Sequence, residues 1–149
     1  MEKLLEINGL KSWYGLSQAL FDVNLEISQG EVVALVGRNG MGKSTTIRSI
    51  CGLISSYEGV IKFKNISIIN QPSYKIAQLG IGLVPEGRRA FTNLTVLENL
   101  IATAVEGEWT LEMVFSLFPK LAERKHQSAS TLSGGEQQML VIGLSLIHI

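Results

Sequence analysis

The chain has 149 residues, enough for one domain with a substantial core, and its 13 basic and 13 acidic residues balance to a formal net charge of zero. No basic run exceeds two residues, so the electrostatic footprint of a nucleic-acid binder is missing and no nucleic-acid partner is expected. No apolar run approaches membrane-spanning length, no signal peptide is expected at the N-terminus, and the lone Cys51 reads as a core thiol with no internal disulfide partner.

In chain order, Leu5 and Ile7 alternate with polar neighbours, and Val23, Leu25 and Ile27 do so more cleanly before a Gln29-Gly30 turn. Both segments are expected to be strands. Between them lies Ser12-Trp13-Tyr14-Gly15. From spacing alone its aromatics read first as strand-end side chains packed on the core, and second as a platform on which a base stacks. Val32-Val33-Ala34-Leu35-Val36 is an uninterrupted apolar run, the pattern of a parallel strand covered on both faces.

The run leads into Gly37-Arg38-Asn39-Gly40-Met41-Gly42-Lys43-Ser44-Thr45, which fits the phosphate-loop pattern G-x-x-x-x-G-K-[ST]. Glycines let successive backbone N–H groups turn toward phosphate oxygens, and the helix that follows adds its positive end. In such loops the lysine, here Lys43, reaches the terminal phosphates and the hydroxyl, here Ser44, ligates Mg²⁺. Ile47, Ile50 and Cys51 lie on one predicted helix face, with Gly52 as the stop. Strand, glycine loop and helix together predict nucleotide binding.

Farther on, Tyr57-Glu58-Gly59 is expected to turn into a strand at Val60-Ile61-Lys62-Phe63. A helix should start near Pro72-Ser73, bury Ile76 and Leu79, and end at Gly80. Ile81-Gly82-Leu83-Val84 reads as a strand ending at Pro85, followed by a charged loop at residues 86–91 where ligand groups gather in open α/β sheets. Thr95 and Glu98 make a Thr-x-x-Glu helix start, and Leu111, Val114, Phe115 and Phe118 form an amphipathic helix closed by Pro119. Residues 124–127 read as a solvated turn with His126 exposed. Finally, Thr131-Leu132-Ser133-Gly134-Gly135-Glu136-Gln137-Gln138 opens a helix whose apolar face is Leu140, Val141 and Leu144. A Ser133–Glu136 cap explains two of these residues. It does not explain two glycines in a first turn, which suit close approach of an anion to the backbone.

The two glycine cradles together resemble those of the ATP-binding-cassette (ABC) ATPases. Residues 37–45 look like that family's first phosphate motif and residues 132–138 like its signature motif, within a likeness running from about Leu4 to Gly143. The resemblance implies an α/β phosphate-loop NTPase fold of the ABC type, with an antiparallel N-terminal β part, a RecA-like core and a helical subdomain. It implies ATP and Mg²⁺ as cofactors. ATP would be bound by Tyr14, Gly37, Arg38, Asn39, Gly40, Gly42, Lys43, Ser44 and Thr45 of one subunit, and by Ser133, Gly134, Gly135 and Glu136 of a second ABC ATPase subunit in a head-to-tail dimer. Tyr14 matches the aromatic that stacks on adenine, which favours the second of its two readings. Ser44 and Glu86 are the implied metal residues, Glu86 standing where most cassettes carry a glutamine that senses Mg²⁺ and water.

Val84-Pro85-Glu86-Gly87-Arg88, Phe118-Pro119-Lys120-Leu121 and residues 135–143 are similar to the subgroup that energises branched-chain amino-acid importers. That likeness implies membrane permease partners, indirect coupling to an extracellular or periplasmic substrate-binding protein, and a peripheral place on the cytoplasmic face of the membrane. The alternatives are a non-catalytic nucleotide-binding fragment and a soluble cassette protein acting in translation or DNA repair.

The family continues with an apolar strand ending in Asp, a catalytic Glu and a switch His. None stands in this chain, and His148 is not in the switch context. On the resemblance, the 149 residues by themselves are expected to be neither an ATPase nor a well-folded domain. Where the family reads Gly-Arg-Ala-Leu, this chain reads Gly143-Leu144-Ser145-Leu146-Ile147-His148-Ile149. The last six residues are those encoded in frame by CTGTCTCTTATACACATC, which resembles a transposon end used in sequencing libraries. Residues 1–143 are therefore expected to be a partial cassette domain and 144–149 a non-native tail.

Overall fold

The computed structural model describes residues 2–55, 57–85 and 90–148. The chain forms two compact units, Met1–Leu79 and Gly80–Ile149.

The first unit is an antiparallel sheet with helices attached. Strands β1 (Lys3–Tyr14), β2 (Ser17–Ser28), β3 (Tyr57–Phe63) and β4 (Ile66–Ser67) lie in the order β2-β1-β3-β4. Leu5, Ile7 and Leu10 of β1 pack inward with Ile61 and Phe63 of β3. The step from Ile7 to Leu10 breaks the period of two, because β1 carries a bulge there against both neighbours. Gly9 donates its N–H to Asn24 Oδ1 at 2.8 Å within that bulge. Gly59 lies opposite, at φ 105°, where a Cβ would sit 2.5 Å from Gly9 O. Residues 57–59 are therefore strand and not the expected turn. The glycine is there because two backbones meet at the bulge. The actual turn of this hairpin is Lys64-Asn65, both at positive φ, as a two-residue connection requires.

Helix α1 (Lys43–Ile50) follows the glycine loop, and α2 (Ser73–Gln78) buries Ile76 as expected. The expected face of α1 is corrected: Ile47 is exposed, while Thr45, Thr46, Ser49 and Ile50 are buried. Burial of small polar residues is possible because Thr46 and Ser49 donate their hydroxyls to the carbonyls of Gly42 and Thr45, at 3.0 and 2.9 Å. Gly52 ends the helix as expected: Leu53 N–H bonds Arg48 O and Gly52 N–H bonds Ser49 O, a Schellman closure.

Two expected strands are absent as strands. Residues 32–36 and 81–84 make no ladder among the described residues. Val32 is 97% exposed and Val36 88%. A segment apolar on both faces holds as a strand only when neighbours pair with its edges and cover its faces. No described strand does so here.

The second unit is helical: α3 (Val96–Thr103), α4 (Leu111–Leu117), α5 (Pro119–Glu123) and α6 (Gly134–His148), with a 3₁₀ turn at Ala129–Thr131. Its core joins Val96 and Leu100 of α3, Val114 of α4, Leu121 of α5 and Leu140 and Ile147 of α6. Each such fully buried aliphatic side chain contributes roughly 1.5–3 kcal/mol of transfer free energy. Thr95 and Glu98 cap α3 reciprocally, as the spacing predicts. Pro119 does more than close α4, since it occupies the first turn of α5, where its missing N–H costs nothing. Helix α6 runs through Gly143 without a break, and a Cβ on Gly143 would meet Val114 Cγ1 at 2.8 Å.

Candidate functional site

The first cradle is built in the β unit. Gly42 caps α1 in the left-handed conformation, at φ 85°, with no side chain bonding the first helical N–H groups and no acidic residue in the first turn. A Cβ at Gly42 would lie 2.5 Å from Leu20 Cδ2 and 3.2 Å from Ala19 O, so only glycine lets the loop sit this close to β2. Lys43 folds back over the loop, its Nζ donating to Gly37 O at 2.7 Å and Arg38 O at 2.8 Å. A cation thus stands at the mouth of a helix N-terminus that has no competing carboxylate. Arg38, Asn39, Gly40 and Ser44 are exposed around it, and Thr45 is buried.

Tyr14, at the end of β1 and 47% exposed, stands beside α1. The Thr45 hydroxyl and the Arg48 guanidinium bond its phenol and hold it below the usual tyrosine range. Tyr14 is thus not packed into the core, against its first reading from spacing. Arg48 escaped the sequence reading. Its signal was present, since Thr45 and Arg48 are three apart and share a helix side. Cys51 is half-buried, and burial pushes its thiol up, which suits an inert core thiol.

The second cradle lies in the helical unit at the start of α6. Ser133 N–H donates to Glu136 Oε2 at 2.9 Å, and Glu136 N–H donates to Ser133 Oγ at 3.3 Å, a reciprocal cap. Glu136 is held below the usual carboxylate range, first by the Ser133 backbone and then by the Ser133 hydroxyl, with Arg124 and Lys120 adding positive charge. A Cβ at Gly135 would meet nothing within 4 Å, so this glycine leaves open space beside the helix start and is not filling a crowded one. Gln137 Nε2 donates to Ala129 O and Leu132 O, both at 3.3 Å, tying the first turn to the segment before it. His126 is exposed, as expected. Glu86 lies outside the described residues, as do Gly87, Arg88 and Arg89.

Both cradles fit an anion by their donor chemistry. The first supplies a lysine cation and an uncapped helix start with an exposed Ser44; the second supplies an open glycine at a helix start.

Comparison with known proteins matches residues 20–148 to the ABC_tran family, described as ABC transporter. The chain is similar to the high-affinity branched-chain amino acid transport ATP-binding protein BraG of Pseudomonas aeruginosa, at 43% identity over 97% of this chain and 64% of that protein. It is similar in structure to a nucleotide-free ATP-binding cassette from an ABC transporter, with a TM-score of 0.82 and 28% identity over 98% of this chain and 65% of that one. A dimeric post-hydrolysis state of the ATP-binding cassette MJ0796, bound to ADP and Pi, gives a TM-score of 0.77 at 28% identity, covering 97% and 70%. The chain spans less than two thirds of the length of the Pseudomonas relative. The match over most of the chain, with the likeness in fold, shows that this protein belongs to the ABC transporter family and has the α/β phosphate-loop fold of its ATP-binding cassettes.

Proposed function

We propose that this chain is the nucleotide-binding part of an ABC importer ATPase and binds Mg²⁺-ATP. The observation that carries the reading is Lys43 held over an uncapped, carboxylate-free helix start. Residues 37–45 would hold the phosphates, with Ser44 and Glu86 the proposed Mg²⁺ residues. The ion, when bound, supplies charge neutralisation at the phosphates. Tyr14 would carry the adenine, and Ser133, Gly134 and Gly135 would meet ATP held by a second cassette, with Glu136 capping that helix start. The dimer of MJ0796 supports that arrangement. Transport of branched-chain or related amino acids is proposed from the likeness to BraG. Among the described residues no helix is long and apolar enough to cross a membrane. Attachment to the cytoplasmic face through permease subunits is proposed on the same likeness.

The test is equilibrium ATP binding by the complete gene product. Lys43→Ala is expected to weaken binding at least about tenfold, the loss of one charge-assisted contact. Ser133→Ala is expected to leave monomer affinity unchanged while impairing ATP-driven dimerisation. Equal loss of monomer affinity in both variants would contradict the two-cradle reading. Uptake of labelled leucine, isoleucine and valine by a deletion strain, restored by the wild-type gene and not by Lys43→Ala, tests the substrate.

A further inference from the structure

The second cradle contains a conflict of charge. Residues 133–135 are proposed to meet a polyanion, yet Glu136 places a carboxylate in the first turn of the same helix. A bare carboxylate there would repel an arriving phosphate. The structure shows how both of its oxygens are engaged. Oε2 accepts Ser133 N–H at 2.9 Å, and Oε1 faces Arg124 Nε at 3.1 Å, with the side chain only 13% exposed.

Arg124 comes from outside α6 and is itself braced. It follows α5, and its guanidinium also donates to Gln127 Oε1 at 3.3 Å across the turn. That turn is pinned to the start of α3, whose first N–H groups need partners. Leu97 N–H bonds Lys125 O at 2.9 Å and Val96 N–H bonds Gln127 O at 3.0 Å. The guanidinium therefore reaches Glu136 from a turn that two helices hold in place.

We infer that Arg124 is a positioning residue for the 133–135 cradle, neutralising Glu136 and keeping its carboxylate on the Ser133 N–H so that nucleotide phosphate meets the helix start without an opposing charge. This rests on the reading that residues 133–135 meet ATP of a second cassette. Arg124 touches no nucleotide in this scheme; it acts through Glu136.

The experiment is sedimentation of the complete gene product with Mg²⁺ and a non-hydrolysable ATP analogue, alongside analogue binding to the monomer. Arg124→Gln is expected to weaken analogue-driven association about tenfold, as an unneutralised charge in an anion site does, while monomer affinity stays unchanged. Adding Glu136→Gln to Arg124→Gln removes the charge that needs neutralising and is expected to restore association to within about threefold of wild type. Arg124→Lys, which keeps the charge, is expected to retain association to a similar degree. Association unchanged in Arg124→Gln overturns the proposal. So does a loss that persists in the double variant or is equal in Arg124→Lys, since a merely structural role behaves that way. A wild-type protein that binds no analogue, or binds it without associating, overturns the two-cradle reading and the proposal with it.

Discussion

Single side chains set the local geometry of both units, and Asn99 shows how much one can carry. It is fully buried on α3. Its Oδ1 accepts Phe91 N–H at 2.8 Å, and its Nδ2 donates to Phe91 O at 2.9 Å and Thr95 O at 2.8 Å. The segment entering α3 is thereby folded around one amide that imitates a backbone turn. Asn99→Ala removes these bonds and strands part-buried backbone groups, which costs roughly 2–3 kcal/mol. Urea unfolding should show a lower midpoint with an unchanged slope. A shift within error of zero would mean water satisfies those groups as well as the amide does.

At the level of elements, the helical unit repeats one device at its helix starts. Glu98 is held below the ordinary glutamate value of 4.5 by the Thr95 backbone and hydroxyl, Glu112 by its own backbone and the Thr110 hydroxyl, and Glu136 by Ser133. Folded values below unfolded ones mean that the unfolded chain binds more protons, so stability rises with pH through this window. The stabilisation is complete above the unfolded glutamate value and is lost as the pH falls through the lower folded values. Helical ellipticity should therefore decline below about pH 4.5, and the decline should flatten in the Glu98→Gln/Glu112→Gln/Glu136→Gln variant. A triple variant with an unchanged acid profile would assign the transition to other groups.

For the molecule as a whole, the open feature is the apolar segment at residues 32–36. Val32 and Val36 are almost fully exposed, and no ladder protects the backbone among the described residues. In the 149-residue chain, amide exchange at 32–36 should run near the rate of an unprotected peptide, while residues 5–7 of β1, paired on both sides, exchange far more slowly. The same segment should bind a hydrophobic dye, and Val32→Lys with Val36→Lys should reduce that signal. Slow exchange at 32–36 would show that the segment is paired in solution, for example with a second copy.

The glycine loop at 37–45, the Thr95–Glu98 cap, the Ser133–Glu136 cap and the strand character of β1 and β2 were legible from spacing alone. Each is determined by short-range geometry: a turn, a helix start, or alternation along one strand. Other features needed the folded chain. The bulge at Gly9 and Gly59 turned an expected turn into strand, because contact between two backbones distant in sequence decides it. The inward face of α1 became Thr45, Thr46 and Ser49 in place of Ile47, since the partner surface on β2 outweighs hydrophobicity counted along one helix. Arg124 on Glu136 joins residues from separate elements, as do Thr45 and Arg48 on Tyr14; the spacing put Thr45 and Arg48 on one helix side, but a linear pattern holds no record of which element that side meets. Residues 32–36 mark the same boundary from the other side. Their apolar pattern specifies a covered strand, but hydrogen bonds between strands need a partner, and only tertiary structure supplies one.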